Sequence, residues 1–378
     1  MSGGEVSQIA EMANIASHDL LKWFKWNRFP LIDQNFECVK VDTHKVEKTP
    51  AVPKKSAKAK KAVAEEGVEE DKKHNHPVDL VFSYTDPYTG KKVMFNTDLK
   101  SYKSNSITKS SVRNALQSLG KTIDCARLSL EWKSKYNYES DVDIRGMLFV
   151  YNHDGEYDKN FYEVFKSEKV EDSKEGAGKI DLSNLPISKG QQVHIIEPKL
   201  VNYMLTIVND TAHLHREGKF PEKEYYFYYP ELTLHKAKGQ RESRPATIEV
   251  LSSPYLIIEH GDIRKYDEEK SEVVVRYKGG YVIYYNEDGG TTTEFIYLLD
   301  TLSRFQILDL DCNLRIRVAH DSPSPQLRSN FEAAKQVYAS DWGFDEYKLQ
   351  KLQRIELAVA EITQKRLSAT ETGWKELV

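Results

Sequence analysis

Two stretches of mainly hydrophobic positions, separated by polar turn residues, predict a β-hairpin with strands at residues 78–84 and 92–100. The first strand is rich in Val, Leu, Phe and Tyr. The segment between them contains Pro87, which presets its own φ, and Gly90, which is free to take a positive φ. We expect the rest of the chain to be organised around this hairpin.

The register of the hairpin follows from its turn, since opposed residues of an antiparallel pair have a constant index sum. If the turn is centred between Tyr88 and Thr89, Asp79 lies opposite Asp98. Lys100 is two residues past Asp98 and shares its face. Two carboxylates and an ammonium are thereby gathered at the open end of the hairpin. An exposed edge with a surface salt bridge is the alternative interpretation.

Helical spacing of apolar residues predicts helices before and after the hairpin, the second with Ser106 as N-cap and Gly120 as its C-terminal stop. These helices cover residues 4–24, 106–119 and 200–216. Strand patterns are expected at residues 36–41, 122–132, 145–152, 193–197 and 225–229. The elements alternate in an order typical of an α/β protein, with a mixed sheet flanked by helices.

The composition changes abruptly at residues 45–76, a low-complexity insertion that is first basic and then acidic. A polar segment near residue 240 indicates a division into residues 1–240 and 246–378. The strand and helix patterns of the second part predict an α+β domain. Its strands are expected at residues 247–259, 272–286 and 308–318, the second of them folded into a hairpin at 278–280, and its helices at residues 326–339 and 344–368.

Composition excludes several classes of protein. No run of about 18 apolar residues occurs, so we expect no transmembrane helix, and the first residues show no secretory signal. The three cysteines form no paired motif, which favours a reducing cytoplasm. The isolated histidines His74 and His76 are a weak metal signal. The net charge of -4 means that any nucleic-acid binding depends on local basic patches. Lys103, Lys109 and Arg113 form such a basic border after the hairpin.

The chemistry of the charged residues favours a hard divalent cation. Mg²⁺ or Mn²⁺ takes oxygen ligands from a few carboxylates, and Asp79, Asp98 and the carbonyl of Leu99 are candidates. Such a cation lowers the pKa of a bound water and neutralises charge on a phosphodiester. Lys100 can orient or deprotonate the water, or stabilise the transition-state oxygens. Glu5, at the border of the first helix's apolar face, can complete the shell. Glu11 falls nearly opposite that face.

The order helix, strand, hairpin, helix, strand, with Pro77-Val78-Asp79 opening one strand and Asp98-Leu99-Lys100 in the next, resembles the PD-(D/E)XK nuclease superfamily. The resemblance covers residues 4–132 and implies a restriction-endonuclease-like fold. It implies that Asp79 and Asp98 bind Mg²⁺ or Mn²⁺, that Lys100 assists the water, and that Glu5 or Glu11 contributes from the helix. Gln117 stands where some members carry a helix glutamine near the site.

This resemblance implies a metal-dependent DNA endonuclease, with the second part serving recognition, oligomerisation or a partner subunit. Stand-alone members of this kind look like bacterial anti-phage defence nucleases, and cleavage of two strands favours a homo-oligomer. Two alternatives remain open at this point. One is a non-catalytic nucleic-acid-binding or scaffold subunit on the same fold, and the other is an RNA nuclease.

Overall fold

The computed structural model describes residues 20–44, 74–165, 180–234, 244–269, 271–308 and 312–362. Within these ranges the chain forms two five-stranded sheets and two two-stranded ribbons, with helices packed on the sheets. Most of the predicted first helix lies outside the described residues, and only residues 20–23 of it are seen to be helical. Residues 45–73 of the predicted insertion also lie outside them.

The first sheet is mixed, and a short ribbon lies beside it. Its strands and those of the ribbon are β1 (Asn27–Ile32), β2 (Phe36–Glu37), β3 (Asn75–His76), β4 (Leu80–Thr85), β5 (Lys92–Tyr102), β6 (Asp143–Asn152) and β7 (Val193–Ile196). The sheet order is β1-β4-β5-β6-β7, while β2 pairs with β3. β1, β4 and β5 are antiparallel neighbours, whereas β5, β6 and β7 run parallel. The predicted restriction-endonuclease-like mixed sheet is therefore confirmed.

Helices cover both faces of this sheet. They are α1 (Val41–His44), α2 (Lys109–Ala126), α3 (Leu130–Lys135), α4 (Pro198–Arg216) and α5 (Pro230–Leu234). On one face, α2 packs its apolar side chains, such as Leu116, against Leu148 and Val150 of β6. On the other face, α4 packs against residues such as Phe95 of β5 and Phe149 of β6. Burying both faces explains why β6 is apolar along almost its whole length.

The bounds predicted for α2 were wrong at both ends. Thr108, not Ser106, is the N-cap. Its hydroxyl oxygen accepts from the Ser111 N–H, and the Thr108 N–H donates to the hydroxyl oxygen of Ser111. The helix runs through Gly120, where the side chain of Pro186 approaches so closely that a Cβ would lie 3.1 Å from it. The glycine therefore serves close packing rather than helix termination. The strand predicted at residues 122–132 is the end of α2 and the start of α3.

Two further elements near the hairpin differ from the prediction. The strand expected at residues 36–41 is only β2, and α1 follows it. β1 was not predicted because Pro30 suggested a break in the chain. Proline is tolerated here because β1 is an edge strand and its pairing with β4 is irregular between Arg28 and Ile32.

The second sheet and its helices form the predicted α+β part. Its strands are β8 (Tyr225–Phe227), β9 (Tyr255–His260), β12 (Gly280–Tyr285), β13 (Asn313–Val318) and β14 (Glu356–Val359), in the order β14-β13-β12-β9-β8, and a separate ribbon consists of β10 (Ile263–Asp267) and β11 (Glu272–Tyr277). The helices are α6 (Thr292–Arg304), α7 (Leu327–Asp341) and α8 (Glu346–Gln353).

Several predictions in this part were wrong. β11 pairs with β10, whereas β12 pairs with β9 and β13, so residues 272–286 are not a hairpin. β12 is buried throughout and approaches β13 so closely that a Cβ on Gly280 would lie 1.9 Å from a backbone oxygen. Residues 247–259 begin with a 3-10 turn before β9. The last predicted helix ends at Gln353 and is followed by β14, and α6 was not predicted.

The two sheets share one hydrophobic core through α4. Side chains of α4 contact Phe149 of the first sheet and Val282 of the second within a single buried cluster. Tyr203 of α4 donates to the carbonyl of Tyr284, and Arg317 of β13 donates to Asp210 of α4 at 2.9 Å. β8, expected with the first part, pairs with β9 of the second sheet. The division near residues 240–246 therefore stays a prediction. The two parts of the chain that it separates share one hydrophobic core.

Candidate active site

The hairpin brings two carboxylates together at one end of β4 and β5. The pairing of Leu80 with Thr97 continues by one residue to place Asp79 opposite Asp98. This confirms the register deduced from the turn. Asp79 stands immediately before β4, and Asp98 lies within β5.

Side-chain alternation puts the charged residues on the α2 face of the sheet. Leu99 packs toward the core that contains α4, so Asp98 and Lys100 point to the opposite face. On that face their register partners in β6 are Leu148 and Val150, which pack against α2. We call Asp79, Asp98 and Lys100 the charged cluster.

Hydrogen bonds fix the geometry of the charged cluster. The Leu99 N–H donates to Asp79 Oδ2 at 2.6 Å. In a strand the N–H and C=O of one residue point in the same direction, so the carbonyl of Leu99 is also directed toward Asp79. Lys100 Nζ forms an ion pair with Asp98 Oδ1. Side-chain exposure is 15% for Asp98 and 34% for Lys100, so the cluster is accessible without being fully solvated.

The charged cluster contains two carboxyl groups that repel each other beside one lysine. Burial, and then the charge of Asp98, raises the pKa of Asp79 to about 6, although the Leu99 N–H and the charge of Lys100 oppose this. Burial tends to lower the pKa of Lys100, but its attraction to Asp98 and Asp79 outweighs burial and raises that pKa overall. Lys100 therefore carries its proton at neutral pH, and the two carboxylates share one neutralising partner.

Asp33 is an acid near the charged cluster that the sequence did not reveal. It follows β1, and its N–H donates to the carbonyl oxygen of Asp79 at 2.9 Å. Asp33 is exposed, and what burial it has, together with the charge of Asp79, raises the pKa of its carboxyl. Its φ of 51° is one that aspartate tolerates better than most residues. An acid directly after an edge strand was the available signal, and the proline in that strand obscured it.

The structure describes only some of the other candidate residues. Glu5 and Glu11 fall outside the described residues. Lys109, Arg113 and Gln117 follow one another at intervals of four residues from the first turn of α2, so they share one helix face. Lys109 and Arg113 are half-buried, Gln117 is exposed, and Lys103 is exposed in the segment between β5 and α2.

The donor atoms of the charged cluster fit a hard divalent cation. Asp79 and Asp98 offer carboxylate oxygens, and Leu99 offers a carbonyl oxygen directed to the same side, which is the donor set that Mg²⁺ and Mn²⁺ prefer. Burial and then the charge of Asp98 raise the pKa of Asp79, and a cation between the two acids would relieve their repulsion. The residues of the charged cluster thus fit a hard divalent cation.

An antiparallel pair bearing two opposed acids and a lysine, followed by a helix and a parallel strand, is the arrangement of PD-(D/E)XK nucleases. The family model for the PD-(D/E)XK nuclease domain of GAPS4 proteins matches residues 1–200, more than half of the 378 residues, and the chain belongs to this family. No curated protein and no solved structure matches the chain. In the described part of the chain, no helix is long and apolar enough to cross a membrane.

Proposed function

We propose that the protein is a metal-dependent endonuclease that hydrolyses DNA phosphodiester bonds. The observation that carries this proposal is the opposition of Asp79 and Asp98, with Lys100 on the same face, in a chain of a nuclease family. In this proposal Asp79, Asp98 and the Leu99 carbonyl hold Mg²⁺ or Mn²⁺. When bound, the cation supplies charge neutralisation at the phosphodiester and a lowered pKa for water.

The chain's own groups have distinct parts in this proposal. Because Lys100 keeps its proton while paired with Asp98, its role is that of a hydrogen-bond donor to the attacking water or to a phosphate oxygen. Leu99 orients Asp79 through its N–H, which leaves the second carboxylate oxygen of Asp79 available as a ligand. Glu5, or else Glu11, is proposed as a further acid from the first helix.

Substrate contacts are assigned to the basic border of the charged cluster. Lys103, Lys109, Arg113 and Gln117 are proposed to contact the DNA backbone, where cations and polar side chains set the position of a duplex. The single face shared by the three α2 residues supports this assignment.

The second part of the chain, residues 246–378, is proposed to serve recognition, oligomerisation or a partner subunit. Cleavage of both DNA strands favours two active sites, which supports a homo-oligomer. A role in anti-phage defence in the cytoplasm completes the proposal. The core shared between α4 and the second sheet supports a fixed relation of this part to the nuclease part. A non-catalytic scaffold is the alternative function.

Nicking of a supercoiled plasmid tests the proposal. We expect nicking in the presence of Mg²⁺ or Mn²⁺, slowed at least about 1000-fold by Asp98→Asn, because losing a metal ligand removes several kcal/mol of transition-state stabilisation. Lys100→Ala should slow nicking about 100-fold through loss of a donor.

Matched controls come from the same part of the fold. Lys92→Ala removes a lysine of the same strand that pairs with Glu139 at 3.3 Å, and Asp141→Asn removes an acid that is 77% exposed. Both controls should nick like the wild type. Equal nicking by Asp98→Asn and the wild type would reject the site. A wild type that binds DNA but never nicks it would favour the scaffold.

A further inference from the structure

Four buried side chains with sulfur and nitrogen donors converge beside the start of β4. Cys38 follows β2, His44 ends α1, His76 belongs to β3, and Cys125 lies in the last turn of α2. One donor atom from each residue lies within 4.8 Å of all the others. We call these four residues the Cys–His cluster.

The distances among Cys38, Cys125 and His44 are those expected between ligands of a tetrahedral zinc ion. The two sulfurs of Cys38 and Cys125 are 3.7 Å apart, and His44 Nδ1 lies 3.6 Å from the first and 3.3 Å from the second. A tetrahedron with Zn–S of about 2.3 Å and Zn–N of about 2.0 Å has S–S edges of about 3.8 Å and S–N edges of about 3.5 Å. A disulfide would need its sulfurs at about 2.05 Å, so these cysteines are not cross-linked.

His76 supplies an independent sign of a missing partner. Its Nε2 is buried and makes no hydrogen bond to any described residue. A buried polar atom without a partner costs about 1 to 3 kcal/mol, so its retention requires an explanation. A metal ion among the four residues provides that nitrogen with a partner.

Hydrogen bonds around the cluster orient its ligands as they do around zinc. His44 directs Nδ1 to the sulfurs while its Nε2 lies 3.3 Å from Asp124 Oδ2. That carboxylate is held in turn by Lys40 and Ser188, each at 2.7 Å. Carboxylate–histidine pairs of this kind commonly orient zinc ligands. The backbone N–H groups of Val39 and Lys40 donate to the sulfur of Cys125 and fix its position.

We propose that Cys38, His44, His76 and Cys125 bind one structural Zn²⁺. Sulfur and imidazole nitrogen are donors that zinc prefers, unlike the oxygen donors of the charged cluster. All four ligands come from the protein and all are buried, so no coordination position is open to a substrate. Binding converts the two thiols to thiolates and releases two protons to solvent.

The position of the zinc ion assigns its role. It joins the β2–β3 ribbon to the end of α2, and His76 stands three residues before Asp79. The low-complexity segment, residues 45–76, begins directly after His44, and His76 is its last residue. The zinc ion therefore holds both ends of that segment and fixes the entry of the chain into β4, where the charged cluster begins.

Metal analysis of the full-length protein without a histidine tag tests the proposal. We expect about one zinc ion per chain, with an X-ray absorption spectrum that fits two sulfur and two nitrogen ligands. His76→Gln should lower the zinc content at least about tenfold, since a lost ligand weakens binding strongly. His74→Gln, which changes the neighbouring histidine, and Cys312→Ser, which changes the remaining cysteine, should keep the metal.

Three outcomes would overturn the proposal, the first two on the wild type and the third on the variants. The first is a wild type that holds no zinc after dialysis against the ion. The second is a zinc spectrum without sulfur ligands. Loss of zinc in His74→Gln but not in His76→Gln would reject this ligand set. The wild-type spectrum decides the question even if the His76 variant does not fold.

Discussion

The charged cluster and the Cys–His cluster differ in chemistry although only Pro77 and Val78 separate Asp79 from His76. The first offers oxygen donors with a half-buried lysine beside them. The second offers sulfur and nitrogen donors and is closed by protein. Donor type selects the ion, and exposure decides whether a substrate can reach it. Residues 76–79 thus contribute to both clusters, of which only the charged cluster is accessible to a substrate.

The two clusters should also differ in their effect on stability. Burial, and then repulsion by Asp98, raises the pKa of Asp79 in the folded protein, so the charged form of Asp79 costs stability at neutral pH. The Cys–His cluster with its zinc ion connects three elements and should add stability. The comparison can therefore be tested by substitutions that remove each cluster in turn.

The largest expected effect is on thermal unfolding. Cys125→Ser should lose zinc and lower the unfolding temperature by roughly 10 °C, because a few kcal/mol of metal-linked stability disappear. Scanning calorimetry of the wild type with a strong zinc chelator should give the same decrease. Cys312→Ser is the matched control. An unchanged unfolding temperature in the zinc-free protein would contradict the stabilising role assigned to the Cys–His cluster.

A smaller effect of opposite sign is expected from Asp79→Asn. Above its folded pKa of about 6 the charged Asp79 destabilises the fold, so the variant should be more stable by about 1 to 2 kcal/mol at about pH 7.5 without added Mg²⁺. As the pH falls through about 6, Asp79 gains a proton in the folded protein but not yet in the unfolded chain. Wild-type stability then rises and the difference between the two proteins shrinks.

Urea unfolding at several pH values measures this difference. Asp141→Asn is the control, because that aspartate is 77% exposed and should show no such dependence. A wild type more stable than Asp79→Asn at neutral pH would mean that the charged cluster stabilises the fold.

The smallest expected effect concerns the basic border. Lys109→Ala and Arg113→Ala should each weaken DNA binding and reduce the slope of log affinity against log salt by about 1. Fluorescence anisotropy with a short duplex measures the slope. Lys223→Ala, between α4 and β8 and 82% exposed, should leave it unchanged. Equal slopes for all three variants would remove the α2 face from the proposed DNA interface.

The hairpin could be predicted from the sequence because local rules determine it. A proline–glycine turn sets the index sum, and the index sum places Asp79 opposite Asp98. β6 and α4 were predictable for a similar reason, since each has a long and regular apolar pattern.

Failures arose where packing decided between two local possibilities. Residues 122–132 suit a strand as well as a helix, and burial against β6 selects the helix. Residues 356–359 continue a helical pattern, yet β13 provides an edge on which they pair as a strand.

The Cys–His cluster could not be found from spacing. Cys38 and His44 are close in sequence, but His76 is at the far end of the low-complexity segment and Cys125 lies at the far end of α2. Only the packing of α2 on the β2–β3 ribbon brings the four residues together. His74 and His76 gave a weak signal, and only the second belongs to the cluster.

A crystal of the wild type soaked in Mn²⁺ tests the central claim most directly. Anomalous maps recorded at the manganese and zinc absorption edges should show two separate ions. We predict manganese between Asp79 and Asp98 near the Leu99 carbonyl, and zinc among the four residues of the Cys–His cluster. Manganese absent from the two aspartates, or bound at the Cys–His cluster instead, would contradict the account.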